Sequence, residues 1–420
     1  MRYYFLVYSV FFLTIGLAHV VRAQNLANSI YSYRGVGELI DRGTSEQEQQ
    51  GNIHAAYFSP YSPNYHNPAS LSYLTLTNYN IGVTGQFEEQ KQNGAYLKQY
   101  NAFAGNASLA FPLMRYGGAC LGFRPYSNAG LETRAAGLNV QGQTADYRYI
   151  GTGGISRFFG GIAFTPLTFL KDSNWHTFSI GYYASFLFGQ VRRTESLLFS
   201  GTDTSGFYNS ASIENNDYRG ALHQIGWQQS FRLTTSVFVC AGATYQFGQN
   251  IQKNTQGYYI TNNSVTQQLI IADTLTGVTS APVSWSAGLG LGITQRWRFW
   301  TDYARRETGS EPYATASQRF AAGMMFWPGP DGRGSIWQRS QYRLGASRTQ
   351  NEMQINGTPV SSLTLSGGIG LGFRKLRPPM LNLGFEYRRR NGQGLVSQDI
   401  FMLHLGISIN EKWFIRRRID

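Results

Sequence analysis

The groups in this chain that could do acid–base, nucleophilic or metal chemistry are few and far apart. There are six histidines, two cysteines and 23 acidic residues in 420. A nucleophile elbow needs Gly-x-Ser-x-Gly and a zinc peptidase needs His-Glu-x-x-His, and neither pattern occurs. His404 and Ser408 share one face of an expected strand, but roughly 13 Å apart at ~3.3 Å per residue, too far for a base to serve a nucleophile. Glycine runs at Gly288, Gly290 and Gly292 and from Gly367 through Gly368, Gly370 and Gly372 have the composition of a phosphate loop. A phosphate loop, however, holds its glycines in a turn that opens a helix, whereas these alternate along strand-like segments. The reading is a protein that is not an enzyme, with no metal and no cofactor. Two charge pairs remain, each on one parity of a strand: Arg298 with Asp302, and Glu386 with Arg388. Charges turned away from water must be paired, so they read as an ionic lattice across a polar interior, with an ion path as the alternative.

The elements that must position these residues follow from composition and period. Charged residues are 14% of the chain, against roughly 25% in an average soluble protein. Glycine numbers 48, and Tyr, Phe and Trp together 62. Beyond the first two dozen residues no apolar run approaches the ~20 residues of a spanning helix. From residue 74 onward, apolar and polar residues alternate with period two. Leu381, Leu383, Phe385 and Tyr387, for example, stand against Asn382, Gly384, Glu386 and Arg388. Fourteen such segments are expected: 74–87, 99–114, 117–127, 145–166, 175–195, 217–232, 236–252, 281–294, 296–307, 316–327, 338–349, 361–374, 380–390 and 398–410. The pattern predicts an all-β fold, a transmembrane antiparallel β-barrel with lipid-facing and lumen-facing residues in alternation. Tight turns alternate with longer connections at 128–144, 196–216 and 253–280, with Leu269 to Leu275 strand-like inside the last. Trp175, Trp297, Trp300 and Trp327 suit interfacial girdles. Cys120 and Cys240 lie 120 residues apart on inward parity and read as free, space-filling thiols rather than a disulfide framework.

The ends differ from the middle. Residues 1–23 have the basic start, apolar run and small-residue cleavage site of a signal peptide, with the cut before Gln24. Residues 24–73 lack alternation; they carry Glu46-Gln47-Glu48-Gln49-Gln50 and then a Pro/Tyr/Asn-rich run. The aromatics Tyr57, Phe58, Tyr61 and Tyr65 argue for a packed segment, because disordered ones are poor in aromatics. The barrel is expected over 74–410 and a basic tail over 411–420. The net charge of +13 is spread along the chain rather than grouped on a module, which argues against nucleic acid. Arg416-Arg417-Arg418 is placed on the periplasmic side, touching lipid headgroups or a partner, or simply solvated.

Asn67-Pro68-Ala69-Ser70-Leu71, just ahead of the first strand of a fourteen-stranded barrel, resembles the Asn-Pro-Ala element of the FadL/TodX-like hydrophobic-compound transporters. Tyr33 to Leu39 and the terminal Lys412 to Arg418 look like a subgroup of these barrels. The resemblance implies a hatch folded into the lumen, with Asn67, Pro68, Ala69 and Ser70 at its turn. It also implies entry of ligand from the outer face and sideways exit at a strand kink. The lumen-facing glycines Gly288, Gly290, Gly292, Gly368, Gly370 and Gly372 are then candidates for that portal; plain steric relief inside a crowded barrel is the other reading. Ile53-His54-Ala55-Ala56-Tyr57-Phe58 departs from the small, glycine-rich run the family has there. The expected function is passive uptake of a small hydrophobic, fatty-acid-like molecule through the outer membrane, with both termini periplasmic. The alternative is a non-transporting barrel, a subunit of a larger outer-membrane secretion or assembly complex, as barrels of the PorV type are. Expected partners are outer-membrane lipids, a hydrophobic small molecule, and other proteins of such a complex.

Overall fold

The structure, a computed structural model, describes residues 29–413 except 33–34, 93–94, 114–115, 142, 167–175, 201–207, 263–266, 310–314, 356, 374–375 and 393–395. The leader expected at 1–23, Trp175 and the tail arginines lie outside the described residues. A two-residue strand, β1 (Glu38–Leu39), precedes β2 (Thr77–Gln92), β3 (Ala95–Leu113), β4 (Gly117–Asn128), β5 (Leu131–Val140) and β6 (Gln143–Phe164). Then come β7 (His176–Ser200), β8 (Asn209–Arg232), β9 (Val237–Gln246), β10 (Gln249–Asn262), β11 (Gln267–Ala281) and β12 (Ser284–Ile293). The last six are β13 (Trp297–Arg306), β14 (Ser317–Phe326), β15 (Gln341–Ile355), β16 (Thr358–Phe373), β17 (Leu376–Asn391) and β18 (Ser397–Glu411).

Three staves of the barrel are interrupted. β4 and β5 pair in turn with β6, β9 and β10 pair in turn with β8, and β11 leads into β12. Counted as staves, β2 to β18 make a closed antiparallel barrel of fourteen strands. It is sealed where Thr77 to Lys91 of β2 pair with Glu411 to Ser397 of β18. Closure pairs the edges of the first and last staves, whose backbone groups hydrocarbon could not satisfy. The expected alternation appears directly: Ile81, Val83, Leu121, Ile162, Leu289, Leu365 and Leu403 are exposed on the outer wall, while Asn78, Asn80, Thr84, Ser366, Asn382 and His404 are buried inside.

Two expectations are corrected. The connections at 128–144, 196–216 and 253–280 are largely strand, as β5 and the far ends of β7, β8, β10 and β11. With 22, 25 and 24 residues, β6, β7 and β8 far exceed the 9–11 that cross a bilayer. Outside the membrane both faces meet water, so the apolar side of the alternation vanishes; eight successive residues of β5 are exposed. Trp300 is not a girdle residue: it points inward, buried against Tyr57 with ring centroids 5.3 Å apart. Trp297 faces out and stacks on Phe326 at 4.2 Å, as a girdle residue would.

Candidate functional site

The lumen is filled by the chain's own N-terminal segment. A short helix, Ser45–Glu48, starts at Thr44, whose hydroxyl accepts the Gln47 amide while the Gln47 side chain returns to the Thr44 amide, a capping box. The glutamine-rich stretch is therefore a buried, self-capped turn rather than a solvated lead. Gln47 also donates from Nε2 to Asn64 Oδ1 at 2.8 Å and to the Ile53 carbonyl at 2.9 Å, tying the two halves of the segment together. Asn67 caps a 3-10 helix, Pro68–Tyr73, by accepting the Ala69 amide at 3.0 Å. Its Nδ2 donates to the Ala55 carbonyl at 2.6 Å and to Trp227 of the wall at 3.1 Å.

The wall is shaped to receive this filling. Glycines face each other across neighbouring strands at Gly181 and Gly226, Gly323 and Gly345, Gly368 and Gly384, and Gly82 and Gly406. A Cβ at seven of these eight positions would overlap Pro68 and Ala69, Asn67, the Gln50 backbone, the Gln49 side chain, or Ser45, and at Gly82 it would crowd Asn106 and Ser45. Glycine permits the backbone of the segment to lie directly on the backbone of the wall. Apolar residues complete the fit. Tyr65, Leu71 and Leu74 pack with Cys120, Phe159 and Tyr183 on one side, and Ile53, Ala56 and Tyr57 with Cys240, Trp300 and Met325 on the other. Both cysteines are free and buried.

Charges anchor the same surface. Asp302 accepts the His54 amide, and the Ala55 amide at 3.2 Å. Arg319 donates to the Gly51 and Asn52 carbonyls at 2.9 and 2.7 Å. Glu386 pairs with Arg388 at 3.1 Å and with His404 at 3.4 Å. Arg298 and Asp302 do not pair with one another; Arg298 instead lies over the Phe238 ring at 5.8 Å. Glu48 faces the Glu386 and His404 group and holds the Gly43 amide at 3.0 Å. Burial pushes its carboxyl up from 4.5 to about 7; the charge of His404 opposes this and that of Glu386 adds to it.

The glycines Gly288, Gly290 and Gly292 make no kink. Pairing runs unbroken through them to β9 and to β13, and their missing side chains make room for Asp302, Cys240 with Trp300, and the Phe238 ring. Gly368 and Gly370 are likewise in continuous register, the nearest irregularity being at Leu371/Phe373 beside Gly372. The open place in the wall is elsewhere. β3 bulges at Gly105, opposite the register shift of Gly82/Val83, and its pairing with β4 ends at Ala107 and Phe123. Beyond that point β1 takes the free edge, with Glu38 opposite Asn128 and Leu39 opposite Ser127, and the Ile40 amide donating to Tyr126 at 2.8 Å. Sequence reasoning looked for the break among glycine runs; a single bulge glycine in Ala104-Gly105-Asn106 gives no such signal.

Above the filling lies a cavity of about 740 Å³, with Gly51, Asn52, His54 and His66 as part of its lining. Seven arginines and four carboxylates, among them Arg124, Arg157, Arg319, Asp41 and Glu386, also line it. Asp41, His54 and His66 were not singled out from sequence, because no fixed spacing links them.

Three solved structures share this fold. A Pseudomonas aeruginosa FadL homologue is 11% identical, with 89% of this chain and 99% of that one covered and a TM-score of 0.56. The Pseudomonas putida toluene transporter TodX is 14% identical over 90% of this chain and 100% of its own, at 0.53. The CymD monoaromatic hydrocarbon channel is 12% identical over 88% and 98%, also at 0.53. At such identities the likeness is one of fold alone. No curated protein matches the chain in sequence. The model of one family does match, from residue 5 to residue 420, and the chain belongs to that family, BamG.

Proposed function

We propose that this barrel works closed, as a non-transporting subunit of a larger outer-membrane complex, with both termini on the periplasmic side. The observation that carries the reading is that the N-terminal segment fills the lumen and also occupies the lateral edge of β4. The cavity that remains sets arginines and carboxylates among apolar side chains, and a greasy guest would strip water from those charges without replacing their hydrogen bonds. The long ends of β5 to β8, β10 and β11 supply a sheet standing clear of the bilayer, a surface suited to a protein partner. The residues 44–73 act as a fixed plug, with the turn at Asn67 to Ser70 as its anchor.

Uptake of a small hydrophobic molecule is the second reading. It is favoured by the FadL-type fold and by the interrupted β3–β4 ladder, held by only two residues of β1. In that case the segment is a hatch, and the gap beside Gly105 is the exit into the membrane.

Extraction of tagged chain in mild detergent separates the two. Stoichiometric protein partners, with no saturable binding of a probe such as laurate, support the subunit. A monomer that binds laurate in a saturable way supports uptake and overturns the subunit.

A further inference from the structure

We infer that Asp41, His54 and His66 form a binding site for one imidazole-preferring divalent transition-metal ion, of the zinc type, at the floor of the lumen cavity. The three side chains offer donor atoms that all lie within 4.8 Å of one another. His66 Nδ1 stands 3.3 Å from one Asp41 carboxylate oxygen and His54 Nε2 stands 3.6 Å from the other. An ion bound at ~2.0–2.2 Å to nitrogen and oxygen spaces neighbouring donors about 3.3 Å apart in a tetrahedron, and each imidazole nitrogen already stands near that distance from one oxygen of the Asp41 carboxylate. The two imidazoles stack at 3.6 Å with 19° between planes, so binding one ion requires one ring to turn about its Cβ–Cγ bond.

The site is built from behind. Asn64 donates to the His54 carbonyl at 2.7 Å and accepts the His66 amide at 2.8 Å, and Gln47 fixes Asn64 in turn. The His66 carbonyl is held by Gln224 of the wall, and the His54 amide by Asp302. These bonds fix the backbone from which the two imidazoles project. Both rings are about 94% buried, yet Nε2 of each makes no hydrogen bond. Burial keeps both neutral, the form that ligates: it lowers His54 to about 3, with Arg319 adding to the effect, and takes His66 well below its ordinary value. Asp41, half exposed, opens the site to the cavity and so to an entry path. Arg124 and Arg319 stand close by, engaged with the carbonyls of Arg42, Gly51 and Asn52. Their charge disfavours hard ions held by charge alone, such as Mg2+ or Ca2+, and leaves the advantage to ions that bond to imidazole nitrogen.

The test uses the full chain in detergent micelles, stripped with chelator and titrated with Zn2+ by calorimetry, then with Co2+ by visible absorption. One saturable ion per chain is expected, with the absorption intensity of low-coordinate Co2+. Binding should be lost in His54→Gln and His66→Asn and weakened about ten-fold or more in Asp41→Asn, while His176→Asn leaves it unchanged. Asp41→Asn keeps the test decisive if a histidine variant fails to fold, since Asp41 contributes little to packing. Absence of saturable binding, or binding indifferent to Asp41→Asn in a barrel that stays folded by gel mobility, overturns the site.

Discussion

Asn67 holds three backbone groups with one side chain, the Ala69 amide and Ala55 carbonyl buried and the Trp227 carbonyl part-buried. Asn67→Ala takes this partner from the Ala69 amide and the Ala55 carbonyl, at about 1–3 kcal/mol for each group left without a partner, and removes the tie to the Trp227 carbonyl of the wall. The expected outcome is an intact barrel with faster amide exchange over residues 53–72, read by hydrogen–deuterium exchange in micelles. Glu48 and His54 set the pH range in which the segment is best seated. The Glu48 carboxyl, raised to about 7 from 4.5, stabilises seating fully below 4.5, and that contribution is lost as pH rises through 7. His54, lowered to about 3 from 6.5, has the opposite sign: seating weakens as pH falls below 6.5 towards 3. Between 4.5 and 6.5 the Glu48 slope opposes that of His54, each being about 1.4 kcal/mol per pH unit, and His66, also held low by burial, adds to the His54 side. Glu48→Gln removes only the first, so its protection against exchange should climb with pH and level off above 6.5, where the parent chain declines. At this scale the sequence was partly legible. Asn67 stood out by motif, and Glu386 with Arg388 by parity. Asp41, His54 and His66 did not, since what joins them is the folding of three loop residues onto one point, without a period.

The facing glycines are an element-scale device. Each pair leaves a flat strip of wall, two strands wide, on which a turn of the segment rests. A side chain at Gly226 would occupy the space of Asn67 and Pro68. Gly226→Val should therefore release the Asn67–Tyr73 turn while leaving the barrel's heat-modifiable gel mobility unchanged, and limited proteolysis should cut within 44–73. Gly85, where a Cβ meets nothing within 4 Å, is the control position, and its change to Ala should be silent. Alternation made the membrane-crossing strands legible because one face is lipid and the other is not. The same chains of residues continue as strand beyond the bilayer, but there the contrast is gone, and β5 could not be told from a loop. The kink was likewise hidden, since a bulge needs one glycine and the filled lumen uses many.

At the scale of the whole molecule, on the proposed reading, the N-terminal segment closes the lumen along its axis and, through β1, at its side. Ile40→Pro removes the amide that bonds Tyr126 and disturbs β1 at its end. Proteoliposomes carrying the variant should leak a small hydrophobic dye several times faster than those carrying the parent. Equal permeability would mean that β1 is not the seal. The fourteen-stranded plan was legible from period alone, because closure and the even count follow from the membrane.

The seat of Ser45 has a further consequence for assembly. Ser45 lies against both Gly82 and Gly406, one from the first stave and one from the last, directly opposite each other at the seam. That seam joins positions more than three hundred residues apart, the least local pairing in the chain and, by the cost of loop closure, the slow one. A slip of one residue would turn every side chain there to the wrong face and would no longer set glycine opposite glycine. The segment is thus a gauge lying across the closing joint: only the true register leaves the notch into which the Ser45–Glu48 helix drops.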